Sequence, residues 1–133
     1  MAAAMSPPMR TNRIDHVVVA TPDPTGALAT FRGHFELPPS APVAGAPALT
    51  IGQARIAFVT PAAGSALLAA LAGGTEGMAE VCLEVASLDD AEAALRKAGI
   101  GFTSEPKGGG RAVAVDPSAA HGVRLTLVEP GTL

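Results

Sequence analysis

The sequence predicts an α+β fold made of one strand-helix-strand module used twice. Three observations predict it. The segment Ile14 to Phe35, IDHVVVATPDPTGALATFRGHF, matches Met78 to Gly99, MAEVCLEVASLDDAEAALRKAG, and pairs His16 with Glu80, Phe31 with Leu95 and Arg32 with Arg96. Downstream, RIAFVTP from Arg55 to Pro61 matches RLTLVEP from Arg124 to Pro130, pairing Ile56 with Leu125, Ala57 with Thr126 and Pro61 with Pro130. Within each copy a valine-rich run is followed by an alanine- and leucine-bearing stretch of helical period. Two copies of about fifty residues point to a closed pair of units rather than a solenoid.

The elements follow in order. Ile14 to Ala20 is an apolar run closed by Thr21-Pro22-Asp23-Pro24, a strand and its turn. Thr25 to Phe35 carries Ala27, Leu28, Phe31 and Phe35 at helical spacing, with Thr25 or Asp23 as N-cap. Pro38 to Pro47 holds four prolines, so it is a connection or a sheet edge. Ala48 to Ile51 and Ala54 to Thr60 form a hairpin about Gly52-Gln53, stopped by Pro61. Ala63 to Ala72 is helix-prone, ended by Gly73-Gly74, and bridges the halves. Val81 to Val85 opens the second copy, and Ser87 caps a helix presenting Ala91, Ala94, Leu95 and Ala98 and closed by Gly99. Phe102 to Ser104 and Ala112 to Val115 are strands around the Gly108 to Gly110 hairpin, the second ended by Asp116-Pro117, and Gly122 to Glu129 closes the sheet. The expected organisation is a tail over 1–12 and one domain over 13–133, with module one at 13–61, a linker at 62–77 and module two at 78–130.

The bulk properties exclude several classes of function. A chain of 133 residues buries about two thirds of its unfolded surface, so it folds without a disulfide or metal. The single cysteine, Cys82, rules out an intramolecular disulfide and suits a reducing compartment, which makes the cytoplasm the expected location. MAAAMSPPMRTN is proline-broken and reads as neither a signal peptide nor a membrane span. A net charge of −3, no basic cluster, and no Trp or Tyr exclude nucleic acid as a partner. The expected partners are a small organic molecule and a second copy of the chain, in a homodimer.

The repeat, with IDHVVVA opening the first copy, VCLEV opening the second and DPSAAHGVRLTLVEP closing the chain, resembles the vicinal oxygen chelate superfamily. This is the glyoxalase, bleomycin-resistance and extradiol-dioxygenase group, and the likeness, from Arg13 to Pro130, is nearest to its methylmalonyl-CoA epimerase and glyoxalase-like branch. It implies two βαβββ modules that pair into a cup-shaped sheet. A divalent metal at the base of such a cup is held by one residue from each of four strands, typically His, Gln or Glu, His and Glu. Carried over by position, the first ligand falls on His16 and is retained. The second falls on Ala57, and the fourth on Thr126, where GVRLTLVE stands in place of the familiar GVRLELVE; both are lost. The third falls on Glu80, which replaces a histidine.

A hard divalent cation needs several anionic or imidazole ligands to offset its dehydration, and His16 with Glu80 offers two. The expectation is therefore no resident cofactor, with a divalent metal held weakly if at all, by His16 and Glu80. The same two residues, related by the repeat, form a candidate acid-base pair, because a carboxylate beside an imidazole raises its pKa and sets its tautomer. The bland counterpart is a buried His-Glu hydrogen bond that holds the cup together. Strand parity adds Val18, Ala57, Cys82, Glu84, Arg55, Arg124 and Thr126 as candidate substrate-lining residues. Cys82 reads more simply as a small buried residue, Glu84 as a solvated rim carboxylate, and Arg55 and Arg124 as paired cations for an anionic substrate or as outward rim residues. Lys107, the glycines after it and Arg111 could grip a phosphate, although a mobile hairpin with solvated cations is the simpler reading. His34 suits the helix C-terminus, and His121 a turn.

The functional expectation is an isomerase or lyase-type enzyme that moves protons with His16 and Glu80 without a metal. Its rivals are a non-catalytic protein that sequesters an antibiotic-like molecule in the cup, and a metal-dependent epimerase or glyoxalase with unorthodox ligands.

Overall fold

The computed structural model describes residues 10–62, 65, 71, 76–107, 110–120 and 123–131. Its strands are β1 (Thr11–Ala20), β2 (Ala48–Ile51), β3 (Ala54–Val59), β4 (Gly77–Val85), β5 (Phe102–Lys107), β6 (Gly110–Val115) and β7 (Arg124–Val128). The helices are α1 (Pro24–Phe35) and α2 (Leu88–Ala98), and a 3-10 turn spans Pro117–Ala120. The strands form one mixed sheet in the order β2-β3-β1-β4-β7-β6-β5, and it does not close. The duplication is visible in its centre. β1 and β4, the opening strands of the two copies, run antiparallel, and each is flanked by the parallel closing strand of its own copy, β3 beside β1 and β7 beside β4. The expected α+β class and repeat architecture are thus present.

Each helix covers its own half of one sheet face. Val17 and Val19 of β1 point to that face, where Ala27, Leu28 and Phe31 of α1 pack over Leu49, Ile56 and Phe58. The Phe31 and Phe58 rings meet edge to face at 5.3 Å between centroids. Asp23, rather than Thr25, caps α1: its carboxylate accepts from the Gly26 amide at 3.0 Å, and Pro24 takes the first turn, where no amide is needed. In the second half Leu88, Ala91 and Leu95 of α2 bury against Val85, Val113, Val115 and Leu127. Ser87 caps α2 as expected, and Gly99, at φ 73°, ends it by sending its amide back to the Arg96 carbonyl.

Three boundaries differ from the sequence reading. β1 and β4 begin earlier than expected, at Thr11 and Gly77, because they pair with each other along most of their length; residues 11 and 12 therefore belong to β1 rather than to the tail. β5 and β6 likewise extend their ladder to Lys107 and Gly110. The proline-rich 38–47 stretch contributes only isolated bridges, Pro39 with Leu49 and Val43 with Ala46, so the first module lacks the full strand that β5 supplies in the second. The expected bridging helix falls on residues 63–72, of which only Ser65 and Leu71 are described.

Candidate functional site

The sheet face opposite the helices carries the candidate site, and register sets its layout. One row across the sheet runs Arg55, His16, Cys82, Thr126 and Ala114; the next runs Ala57, Val18, Glu80 and Arg124. Every position chosen by parity in these two rows lies on this face. His16, Cys82 and Thr126 are 0% exposed and Glu80 is 3% exposed, so polar groups stand in an interior where an unpaired one is costly.

Glu80 is held from two sides. Its Oε1 accepts from Arg124 Nε at 2.8 Å, and its Oε2 accepts from the Thr126 hydroxyl at 2.9 Å. Thr126, at the position where the superfamily places its fourth ligand, thus serves the carboxylate at the third. Arg124 also reaches Glu105, Nη2 to Oε1 at 2.7 Å. Burial pulls the Arg124 pKa down, but the charges of Glu80 and Glu105 and the hydrogen bonds to both carry it above its ordinary value.

His16 is held from one side only. Its Nδ1 lies 2.8 Å from Asp15 Oδ2, whereas its Nε2 stands 4.0 Å from Glu80 Oε2 and has no hydrogen-bond partner among the described residues. That separation is too long for a hydrogen bond, so the direct His-Glu bond considered from the sequence is not formed. Nε2 and Glu80 instead share a cavity of about 230 Å³ whose other walls are Val18, Val43, Ala44, Ala46, Ala57 and Val59. Its cover is a tight hairpin in which Val43 and Ala46 exchange amide-carbonyl bonds at 2.9 and 2.8 Å. Ala44 and Gly45 turn that hairpin at φ 48° and 84°, the paired positive values of a type I′ turn.

Asp15 was not among the candidates, because strand alternation counted from His16 and Val18 puts it on the helix face. A β-bulge explains the miss. Ile14 pairs with Leu83 and His16 with Cys82, so β1 spends two residues where β4 spends one, and Asp15 and His16 turn to the same side. The signal available was the acid itself, a charged residue at a helix-facing position of an otherwise apolar strand. Arg55 Nη2 reaches Asp15 Oδ2 at 2.9 Å and Arg13 Nη2 reaches Oδ1 at 3.1 Å. The hydrogen bond from His16 holds the Asp15 carboxyl below the ordinary carboxylate range; burial opposes this, and the neighbouring Arg55 charge assists it.

The remaining candidates are engaged. Glu84 is not a solvated rim acid: it is buried, with Asn12 Nδ2 at 3.0 Å and Arg13 at 3.1 Å. Arg55 and Arg124 point inward but are each paired, with Asp15 and with Glu80 and Glu105. Cys82 is buried beside Ala112 and Val128. Arg111 binds Glu92 and Asp89 of α2 rather than standing as a solvated cation; Gly108, Gly109 and His121, like the Lys107 side chain, lie outside the described residues. A second cavity, of about 410 Å³, lies over the second half and is lined by Phe102, Thr103, Ala114, Asp116, Pro117 and Arg124 among others.

The expectation of no cofactor is corrected here. Asp15, His16 and Cys82 bring ligand-type atoms within 4.8 Å of one another, and the orphaned, buried Nε2 of His16 faces the carboxylate of Glu80. A buried acceptor without a partner needs an explanation, and an imidazole with carboxylate and thiol donors around it is a set that divalent transition ions accept. The residues therefore fit such an ion. Cys82, expected only as a lining residue, and Asp15, brought in by the bulge, are the donor-type residues that stand beside His16 outside the four inherited ligand positions.

No protein-family model matches the chain, and no curated protein matches it. Solved structures do. Methylmalonyl-CoA epimerase from Mycobacterium tuberculosis superimposes with a TM-score of 0.80 at 22% identity, covering 98% of this chain and 96% of that one. A Streptomyces coelicolor methylmalonyl-CoA epimerase in complex with 2-nitronate-propionyl-CoA gives 0.74 at 25% identity, over 91% and 99%. A hypothetical protein from Bacillus halodurans gives 0.76 at 19% identity, over 91% and 96%. None of the described helices is long and apolar enough to cross a membrane. With its paired modules, its open seven-stranded sheet and these neighbours, the chain has the fold of the vicinal oxygen chelate superfamily in the form shared by methylmalonyl-CoA epimerases.

Proposed function

We propose that this chain is an isomerase-type enzyme that moves a proton at the carbon beside the carbonyl of a small acyl compound, with His16 and Glu80 as the working residues. The observation that carries this is His16 Nε2, buried, without a hydrogen-bond partner among the described residues, and beside Glu80 on the wall of a cavity with no other titratable residue among its described lining. At 4.0 Å the two groups stand too close for a substrate carbon to sit between them, so they work on one face of that carbon. Nε2 accepts the proton, the electron pair left on carbon passes to the carbonyl oxygen, and the Glu80 carboxylate stabilises the imidazolium formed; returning the proton after the planar enolate has turned its other face to Nε2 gives the isomer. Arg124 and Thr126 hold the Glu80 carboxylate in place while this happens. The apolar walls accept a short aliphatic acyl group.

A divalent ion would be held by His16 through Nε2, with Glu80 and Cys82 as the further donors and Asp15 orienting the ring from Nδ1. It would supply a Lewis acid that polarises the substrate carbonyl, in place of the free Nε2 base. One structural neighbour is in complex with methylmalonyl-CoA and another with a propionyl-CoA analogue, which makes acyl-CoA thioesters the first substrates to test. A homodimer in the cytoplasm is part of the same proposal. The alternative, capture of a small molecule without turnover, draws on the larger cavity over the second half, whose described lining is apolar apart from Thr103, Asp116 and Arg124. Incubating the protein with short branched acyl-CoA thioesters in D₂O tests both readings. Deuterium appearing beside the carbonyl supports the enzyme, and saturable binding without exchange supports capture.

A further inference from the structure

We infer that Asp15 is a positioning residue that fixes the tautomer of His16, placing the proton on Nδ1 and turning the Nε2 lone pair into the cavity. Four observations converge on it. The bulge at Ile14 and His16 brings two consecutive side chains to one side of β1, which regular pleating forbids. Asp15 Oδ2 stands 2.8 Å from Nδ1, and an ionised carboxylate can only accept, so Nδ1 must donate. Arg55 at 2.9 Å and Arg13 at 3.1 Å keep that carboxylate ionised and hold both of its oxygens in place. Nε2, the nitrogen then left without a proton in the neutral ring, is the one buried side-chain polar atom among the described residues with no hydrogen-bond partner, and it borders the cavity.

Arg13 extends the arrangement outward, since it also pairs with Glu84 at 3.1 Å, and Glu84 accepts from Asn12. Two arginines and two carboxylates thus form a charge-balanced group behind the imidazole, on the side away from Glu80. Its consequence is directional. A ring free to take either tautomer would offer an N–H to the cavity part of the time, and an N–H can neither accept a substrate proton nor bind a cation. A carboxylate orienting the far nitrogen of a working histidine typically matters 10- to 100-fold.

This inference rests on the reading of His16 as a working residue, but its test does not need turnover. The imidazole ¹⁵N and ¹H correlations of the wild-type protein report which nitrogen carries the proton, and Asp15→Asn, whose amide can donate to Nδ1, is compared with it. Expected are a single Nδ1–H tautomer in the wild type and a mixed or Nε2–H ring in the variant, with whichever of Mn²⁺ affinity or solvent exchange the protein displays falling about 10- to 100-fold. An Nε2–H ring in the wild type overturns the inference even where the variant does not fold. So does a folded Asp15→Asn protein with an unchanged tautomer, which would make Asp15 merely an ion-pair partner of Arg55. Absence of solvent exchange beside a confirmed Nδ1–H tautomer would instead remove the enzymatic reading and leave this one standing.

Discussion

Replacing Glu80 by glutamine separates the charge of the central carboxylate from its shape. Glutamine fits the same space: its carbonyl oxygen can face Arg124 Nε, where Oε1 now accepts at 2.8 Å, and its amide can face Thr126, whose hydroxyl turns from donor to acceptor at 2.9 Å. Both contacts survive and only the charge goes. Hydrogen bonds to a charged group contribute about 1.5–3 kcal/mol and neutral ones about 0.5–1.5, so the Thr126 bond loses about 1 kcal/mol, and the Arg124 bond, still charge-assisted by the guanidinium but no longer an ion pair, loses about 1 kcal/mol more. Part of that returns because a carboxylate 3% exposed no longer has to be kept out of water. The expected net loss is about 1–2 kcal/mol. Glu80→Ala is expected to lose about 3–5 kcal/mol, since it leaves Arg124 with Glu105 alone and empties the space beside Thr126. Urea unfolding followed by circular dichroism measures both. A glutamine variant as stable as the wild type, or as damaged as the alanine variant, would refute the claim that an ionised Glu80 is satisfied by these two partners.

Phe58→Ala removes a fully buried ring that packs on Phe31 of α1 and on Leu49, and is expected to cost about 3–5 kcal/mol by chemical denaturation. Ala44→Gly and Gly99→Ala should act in opposite directions, each by about 1 kcal/mol: the first relieves an alanine at φ 48°, the second forces one to φ 73°. Thermal melts of the two variants check the signs. Asp15, whose folded pKa is lowered chiefly by the hydrogen bond from His16, contributes stability that is present above the ordinary carboxylate value and lost as pH falls through it toward the folded value. The stability gap between wild type and Asp15→Asn should therefore be constant near neutral pH and shrink below about pH 4; a gap unchanged into acid would count against the pairing.

What the sequence made legible was whatever repeats or alternates. Duplication located both modules, the parity of IDHVVVA and VCLEV put His16, Glu80 and Cys82 on one face, and Ser87 with Gly99 bracketed the second helix. What escaped was whatever breaks the pattern. Asp15 reached the cup face through a bulge, and no alternation rule registers an inserted residue. The 43–46 hairpin that roofs the cavity lay inside a proline-rich stretch read as a connection or a sheet edge, although Ala44-Gly45 is a compact-turn pair. The pairing of Arg55 with Asp15 and of Arg124 with Glu105 depends on strand order, because β3 and β5 lie far from those partners in sequence. The metal question turned on the same gap, since Cys82, outside the inherited ligand positions, becomes a neighbour of His16 only in three dimensions.

The most direct test of the central claim is solvent deuterium incorporation beside the carbonyl of a short branched acyl-CoA thioester, read by mass spectrometry, with and without added Mn²⁺. The proton-transfer account predicts exchange in the wild-type protein and a loss of about 10² to 10⁴-fold in folded His16→Ala and Glu80→Gln variants. Bound thioester that returns from D₂O without deuterium, or exchange that survives both substitutions, would contradict it.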